Sequence, residues 1–463
     1  MKKTALYCCV AGLCVSAFGP LTYATDSVTQ WNDAYLDAIR ASRGDSPAGI
    51  SRRGAMISGA IYDTINAFEQ TRQGYAFTDP APASANRQAA IASAGYRVML
   101  NAYGHQAGTV AAAQALYQSQ LAAIADGPAK DAGIAFGQTV GNVYVSRRAA
   151  DVPLLADNSY TPGGQPGDWR PSPPNNGGPV GVHDGDMAPW TLTSNSQFRP
   201  VGPPALTSAE YTAAYNDVRS LGSATSATRT VDQTNIAYFW ANDRDGTSKP
   251  LGHLNAIART VAEQQFTAQG LTGNARESAM ARLLAITNIA MADAGIAAWD
   301  CKYNTPGDLW RPSDGINLGD TDGNADTIGD SSWVPLSGVV TEGLAGYVPG
   351  FPAYISGHAT FGAVQAAVMR NFFGTDNITF TIDSEDPLYH AGSRTYTSFT
   401  DIAQENGRSR VYLGVHWNFD STEGYTCGTG VGNWAYDRLF QVPTPGAFAL
   451  LAMGGLVVGR RRR

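Results

Sequence analysis

Apolar residues recur at steps of three and four along most of this chain. The pattern runs through residues 31–39, 50–68, 89–103, 110–124, 251–266, 279–299 and 359–373, the spacing that turns one face of an α-helix toward a core. Alternation of period two, the mark of a half-buried strand, is scarce. Residues 151–204 are instead rich in Pro, Gly and Asn, and predict a long irregular excursion that wraps the surface or shapes a pocket mouth. The expected class is all-α: a large helical bundle with long irregular loops.

Three blocks in the C-terminal half carry candidate chemistry. The last is Arg408-Ser409-Arg410 followed by His416 and Asp420, a spacing of S-R-x5-H-x3-D. Read as one helix through 412–420, it sets Arg410 and His416 nearly two turns apart, both able to reach one bound tetrahedral anion. Asp420, one turn after His416, can hold a ring N–H and leave the other nitrogen free as ligand or nucleophile. The middle block is Phe351-Pro352-Ala353-Tyr354-Ile355-Ser356-Gly357-His358. Ser356 offers a hydroxyl, Gly357 a backbone N–H with no Cβ in the way, and His358 a titratable group. The Ala-rich run after it predicts a helix whose N-terminus favours anions. The first block, Trp299-Asp300-Cys301-Lys302 then Trp310-Arg311-Pro312, adds two cations. Lys302 is notable in a chain that otherwise uses Lys only at 2, 3, 130 and 249.

Together these blocks resemble the vanadium-dependent haloperoxidases and the related type 2 phosphatidic acid phosphatases, over roughly residues 280–440. Eight residues separate Lys302 from Arg311 where the family has six, and Ile355 stands where the family has Pro. The resemblance implies a vanadium haloperoxidase-type bundle and a vanadate cofactor. In it Lys302, Arg311 and Arg410 neutralise the anion's oxygens, helped by Ser356 and the Gly357 N–H, and His416 is the ligand to the metal. His358 is the acid–base group for peroxide, Asp420 the partner of His416, and Trp299 and Phe351 line the halide region. The implied reaction oxidises halide with hydrogen peroxide to hypohalous acid, with a small organic acceptor as a further partner. In the phosphatase branch the same atoms hydrolyse a phosphate ester, with His416 as nucleophile and His358 protonating the leaving group. Vanadate mimics phosphate, so the cradle alone leaves both open, together with a non-catalytic protein that keeps an anion pocket. The aromatic residues Trp299 and Phe351 and the long N-terminal helical region favour the haloperoxidase.

The two chain ends add addresses. Met1-Lys2-Lys3 and the apolar run after it read as a signal peptide, residues 1–24. Residues 442–463, with Pro443, Pro445, a short apolar stretch and Arg460 to Arg463, resemble a PEP-CTERM sorting tail cut by an exosortase-type enzyme, with a plain membrane anchor as the alternative. The expected protein is thus exported to the periplasm, cell surface or medium, with residues 25–441 as its helical domain. With 463 residues and 43% hydrophobic content, the chain can bury a substantial core. Once Lys2, Lys3 and Arg460 to Arg463 are set aside, 26 basic side chains face 39 acidic ones. So acidic a surface argues against nucleic acid as a partner. Outside the signal segment only Cys301 and Cys427 remain, a disulfide or two buried thiols. The acidic loop 320–326 reads as a solvated turn rather than a calcium loop. Trp169-Arg170-Pro171 repeats the Trp-Arg-Pro of the active block with no Lys before it and is treated as a decoy. His105, His183, His253 and His390 are left as structural.

Overall fold

The computed structural model describes residues 26–442; the signal segment and, beyond Val442, the sorting tail lie outside the described residues. The first part consists of α1 (Ser27–Ala41), α2 (Pro47–Glu69), α3 (Arg87–Tyr103), α4 (Ala107–Ala122), α5 (Pro128–Arg147) and the short α6 (Asp151–Ala156). Then come α7 (Ala209–Leu221), α8 (Val231–Ala241), α9 (Lys249–Ala268), α10 (Gly273–Tyr303), the short α11 (Pro312–Asn317), α12 (Gly357–Phe373), α13 (Phe399–Tyr412) and α14 (Asn418–Arg438). One antiparallel strand pair, β1 (Phe380–Ile382) and β2 (Arg394–Tyr396), sits between α12 and α13 with Phe380 opposite Tyr396. The all-α expectation holds.

Helix α10 is the axis. It packs on α1, α2, α9, α12 and α14, and it is apolar nearly all round, as a fully surrounded core helix must be. It is long and apolar enough to cross a membrane, but 89% of its most apolar stretch is buried inside the protein. One polar exception, Asp293, accepts the N–H groups of Trp190 (2.7 Å) and Thr191 (2.8 Å) and the Thr191 hydroxyl (2.5 Å). Those contacts pin the irregular 151–204 excursion onto the helix. Arg199 adds a bidentate pair with Asp300, 2.7 Å at each bond. The decoy tryptophan, Trp169, is fully buried, and its N–H donates to Asp308 O, while the Trp310 N–H donates to Gly167 O. The excursion therefore braces the Lys302 end of α10 from outside.

Helix α14 escaped the periodicity because glycine occupies its contact face. Gly424, Gly428 and Gly432 recur every four residues against α12. A Cβ on Gly428 would lie 2.2 Å from Thr360 O, and one on Gly424 2.8 Å from Ser356 O. The stripe lets two backbones meet where side chains would hold them apart. Between α13 and α14 the single helix expected through 412–420 is absent. The chain breaks at residues 413–417, with Gly414 at φ +82° and closely covered by Gly222 and Pro335. Only a residue at ease in left-handed backbone can make that turn.

Cys301 and Cys427 are both free thiols and buried. The 320–326 loop is knit by its own side chains: Asp322 accepts from Asn324 N and the Thr327 hydroxyl, and Asn324 accepts from Asp326 N. His253 is buried with Nε2 on Asp383 O, and His183 and His390 meet Asp186 and Glu342.

Gly428→Ala should destabilise the protein by about 1–3 kcal/mol, since the methyl is forced into backbone that cannot yield; thermal denaturation of the variant against the parent checks this.

Candidate active site

Ser356 caps α12, its hydroxyl oxygen facing Ala359 N at 3.4 Å, while its own N–H donates to Asp420 O at 2.9 Å. The first turn of α12 is thus fastened to the first turn of α14. His358, on that first turn, sets Nε2 3.0 Å from Trp240 O and 3.3 Å from Ala241 O. Carbonyls only accept, so Nε2 carries the hydrogen and Nδ1 is the free, basic nitrogen. Burial, with the Arg410 charge, pushes the His358 pKa down to about 3.

The three expected cations are all buried. Lys302 donates to the carbonyls of Pro352 (2.8 Å), Ala353 (3.2 Å) and Ile355 (2.6 Å), which holds the segment leading into Ser356. Arg311, just before α11, donates to Phe351 O and Val415 O, each at 2.8 Å, and its Nη1 lies 3.1 Å from His416 Nε2. Phe351 lies over both cations, its ring centre 5.1 Å from Lys302 Nζ and 4.8 Å from the Arg311 guanidinium. Arg410, in the last turn of α13, pairs through Nη2 with Asp243 at 2.9 Å, but its Nε and Nη1 are buried without acceptors. Burial, then the Arg311 charge, depresses Lys302, and burial depresses Arg311, with the Arg410 charge adding to it and Asp420 opposing it.

His416 sits in the α13–α14 connection, not on a helix. Its Nδ1 meets Asp420 Oδ2 at 2.8 Å, and the same oxygen accepts the Trp417 N–H at 3.1 Å. A hydrogen on Nδ1 leaves Nε2 with its lone pair, the arrangement a ligand or nucleophile requires. Burial, with Arg311 and Lys302 beside it, holds His416 well below the usual histidine range. Burial raises Asp420 to about 7, opposed by the Lys302 charge.

Trp299, Phe351, Gly357, His358, Arg410 and His416 share one cavity enclosing about 370 Å³. Lys302, Arg311, Ser356 and Asp420 stand behind that lining. The rings of Trp299 and Phe351 meet at 5.1 Å. A Cβ on Gly357 would come within 3.5 Å of Trp299, so glycine leaves that space for a ligand. Asp243 and Phe361 also line the cavity and were missed by the sequence. Three cations against the one carboxylate of the motif called for another, but nothing local ties Asp243 to Arg410. Three buried cations face only Asp243 and Asp420, and Arg410 has two donors unused, so the site suits an oxyanion beside an unprotonated imidazole nitrogen.

Residues 282–444 match the sequence model of the VCPO second helical-bundle domain. Vanadium chloroperoxidase from Curvularia inaequalis is 31% identical over 264 residues, covering 47% of this chain and 42% of that protein. The chain thus spans less than half the length of that relative. Among solved structures, the first bacterial vanadium-dependent iodoperoxidase superposes with a TM-score of 0.74 at 23% identity, over 90% of this chain and 97% of that one. The chain shares the helical fold of that structure, and its C-terminal part is similar in sequence to the vanadium chloroperoxidase. An apo-type bacterial vanadium-dependent chloroperoxidase shares it too, with a TM-score of 0.64 at 15% identity over 86% of this chain and 94% of that one. The matched segment begins on α10 and encloses all three sequence blocks.

Both cavity histidines should remain neutral at pH 6 in the anion-free protein, because both are depressed by burial. Nitrogen-15 spectra of histidine-labelled protein should show Nδ1–H for His416 and Nε2–H for His358; an imidazolium signal from either at that pH would contradict the geometry.

Proposed function

We propose that the protein is an exported vanadate-dependent haloperoxidase, converting hydrogen peroxide, halide and a proton to hypohalous acid and water. The observation that carries this reading is the buried surplus of positive charge around His416: Arg410 with two idle donors, Lys302 and Arg311 behind it, and an imidazole Nε2 that carries no hydrogen and faces the Arg311 guanidinium. Vanadate fits this donor set, with His416 Nε2 as its protein ligand and Lys302, Arg311, Arg410, Ser356 and the Gly357 N–H serving its oxygens. When bound, it supplies a Lewis acid that activates peroxide without changing oxidation state.

The chain's own residues do the rest. Asp420 keeps the hydrogen on His416 Nδ1 and orients the ring. The guanidinium of Arg410, fixed by Asp243, balances negative charge on the cavity side, and Arg311 does so from behind His416. Lys302 adds positive charge while keeping the 352–355 carbonyls turned inward. His358, neutral and with Nδ1 free, accepts the proton that peroxide gives up and returns it to the departing oxygen. Trp299 and Phe351 form an apolar wall on which a halide sheds water before it reacts. The phosphatase reading uses the same cations, with His416 Nε2 as nucleophile. The apolar wall favours a small polarisable anion over a phosphate ester. Export rests on the apolar N-terminal segment and on the Pro-Thr-Pro, apolar and tetra-arginine pattern of the last residues, which also makes an exosortase-type enzyme the expected processing partner.

The purified protein, stripped of phosphate, should brominate a 1,3-diketone acceptor with peroxide and bromide only when vanadate is added. His416→Ala should abolish this activity, and Asp420→Ala should lower it by about 10–100-fold. Hydrolysis of a generic phosphate ester that vanadate blocks, with no bromination, would transfer the assignment to the phosphatase branch.

A further inference from the structure

At the other end of α10 from Lys302, a second pocket opens between α2, α10 and the end of α12. It encloses about 570 Å³ and is lined by Tyr62, Asn66, Glu69, Arg72, Arg282 and Phe372, among others. Arg282 and Lys302 lie on one helix, about 30 Å apart at 1.5 Å per residue. The pocket is therefore distinct from the cavity at His416.

Its hydrogen-bond balance is one-sided. Arg72 donates Nη1 to Phe440 O at 3.2 Å, and neither Arg72 nor Arg282 forms an ion pair among the described residues. Among the described residues the Arg282 guanidinium lies over the rings of Phe372 at 4.9 Å and Tyr436 at 5.8 Å, and its Nε is buried with no acceptor. Tyr62 is 3% exposed, and its hydroxyl is likewise buried and unpartnered. The one carboxylate in the lining, Glu69, is taken by the Ser278 hydroxyl at 2.5 Å and by Arg87 at 3.3 Å. Burial and the Arg282 charge hold Arg72 below its usual range, so the two guanidiniums sense one another across the pocket. A buried phenol and a buried guanidinium N–H with nothing to donate to are costly unless an acceptor joins them, and two half-buried guanidiniums without carboxylate partners stand beside them.

We propose that this pocket binds a tetrahedral oxyanion of the phosphate or sulfate class, held between Arg72 and Arg282 with the Tyr62 hydroxyl as third donor. Several donors arriving from different sides suit a ligand with acceptor oxygens on every face better than a planar carboxylate. The site joins the end of α2, the start of α10 and the end of α12. It also joins the last described segment, since the Phe440 ring lies 3.7 Å from that of Tyr62 and Gln73 N–H donates to Gln441 O. A bound anion therefore ties the N-terminal helices to the C-terminal end of the domain.

Calorimetric titration of the purified full-length protein with inorganic phosphate at fixed ionic strength tests this. The expected result is a binding event that survives His416→Ala, that sulfate competes for, and that weakens at least tenfold in Arg72→Gln and in Arg282→Gln. Tyr62→Phe, which removes only the hydroxyl, should weaken it about three- to tenfold. Arg282 packs on two rings, so if its variant fails to fold, Arg72→Gln and Tyr62→Phe carry the test. Phosphate binding unchanged in both of those, or lost altogether in His416→Ala, overturns the proposal. Neither result depends on bromination, so the assignment at His416 stands or falls separately.

Discussion

A surplus of buried positive charge governs the C-terminal half of this protein. Lys302, Arg311 and Arg410 are each at most 1% exposed, and charges so far from water have to be satisfied by fixed partners. Most of the irregular backbone near the site serves that end. The 351–355 segment turns four carbonyls toward Lys302 and Arg311, the α13–α14 connection adds Val415 O, and Asp243 reaches in from the end of α8. Loops that look unstructured by hydrogen-bond pattern are thus held as firmly as the helices. Their order follows from the cations they neutralise.

The remaining imbalance gives the site its chemistry. Two carboxylates do not neutralise three cations, and the unused Arg410 donors mark the side from which a negative ligand is expected. Because Asp420 engages Nδ1 and Arg311 lies at Nε2, His416 has one tautomer and one approach. The carbonyls of Trp240 and Ala241 do the same for His358 in the opposite sense, exposing Nδ1 instead. Two histidines with opposite tautomers on one cavity can play different parts, one bound and one moving a proton.

Much of this was legible in the chain, because the chemistry is written in short motifs whose internal spacing survives any fold. Ser356 capping α12, Lys302 in the last turn of α10 and Asp420 beneath His416 all follow from local rules. Two things did not follow. The Arg410–His416 interval reads as helix by length, yet Gly414 breaks it, and the turn depends on contacts with Gly222 and Pro335 far away in sequence. Helix α14 carries its contact face as glycine, which periodicity counts as neither apolar nor polar. Asp243 belongs to a third class, a partner defined only by tertiary packing. Its sole sequence trace was an unbalanced charge count in the motifs.

Cys301 stands directly before Lys302, and Cys427 is close enough to sense Cys301. Burial raises both thiols, Cys301 to about 12. The thiolate is the form that oxidants attack. Under the proposed reaction the product is hypohalous acid, and these two sulfurs, packed in apolar surroundings and kept protonated, are poor targets for it. The same dense packing that fixes the cations thus shields both thiols from oxidants.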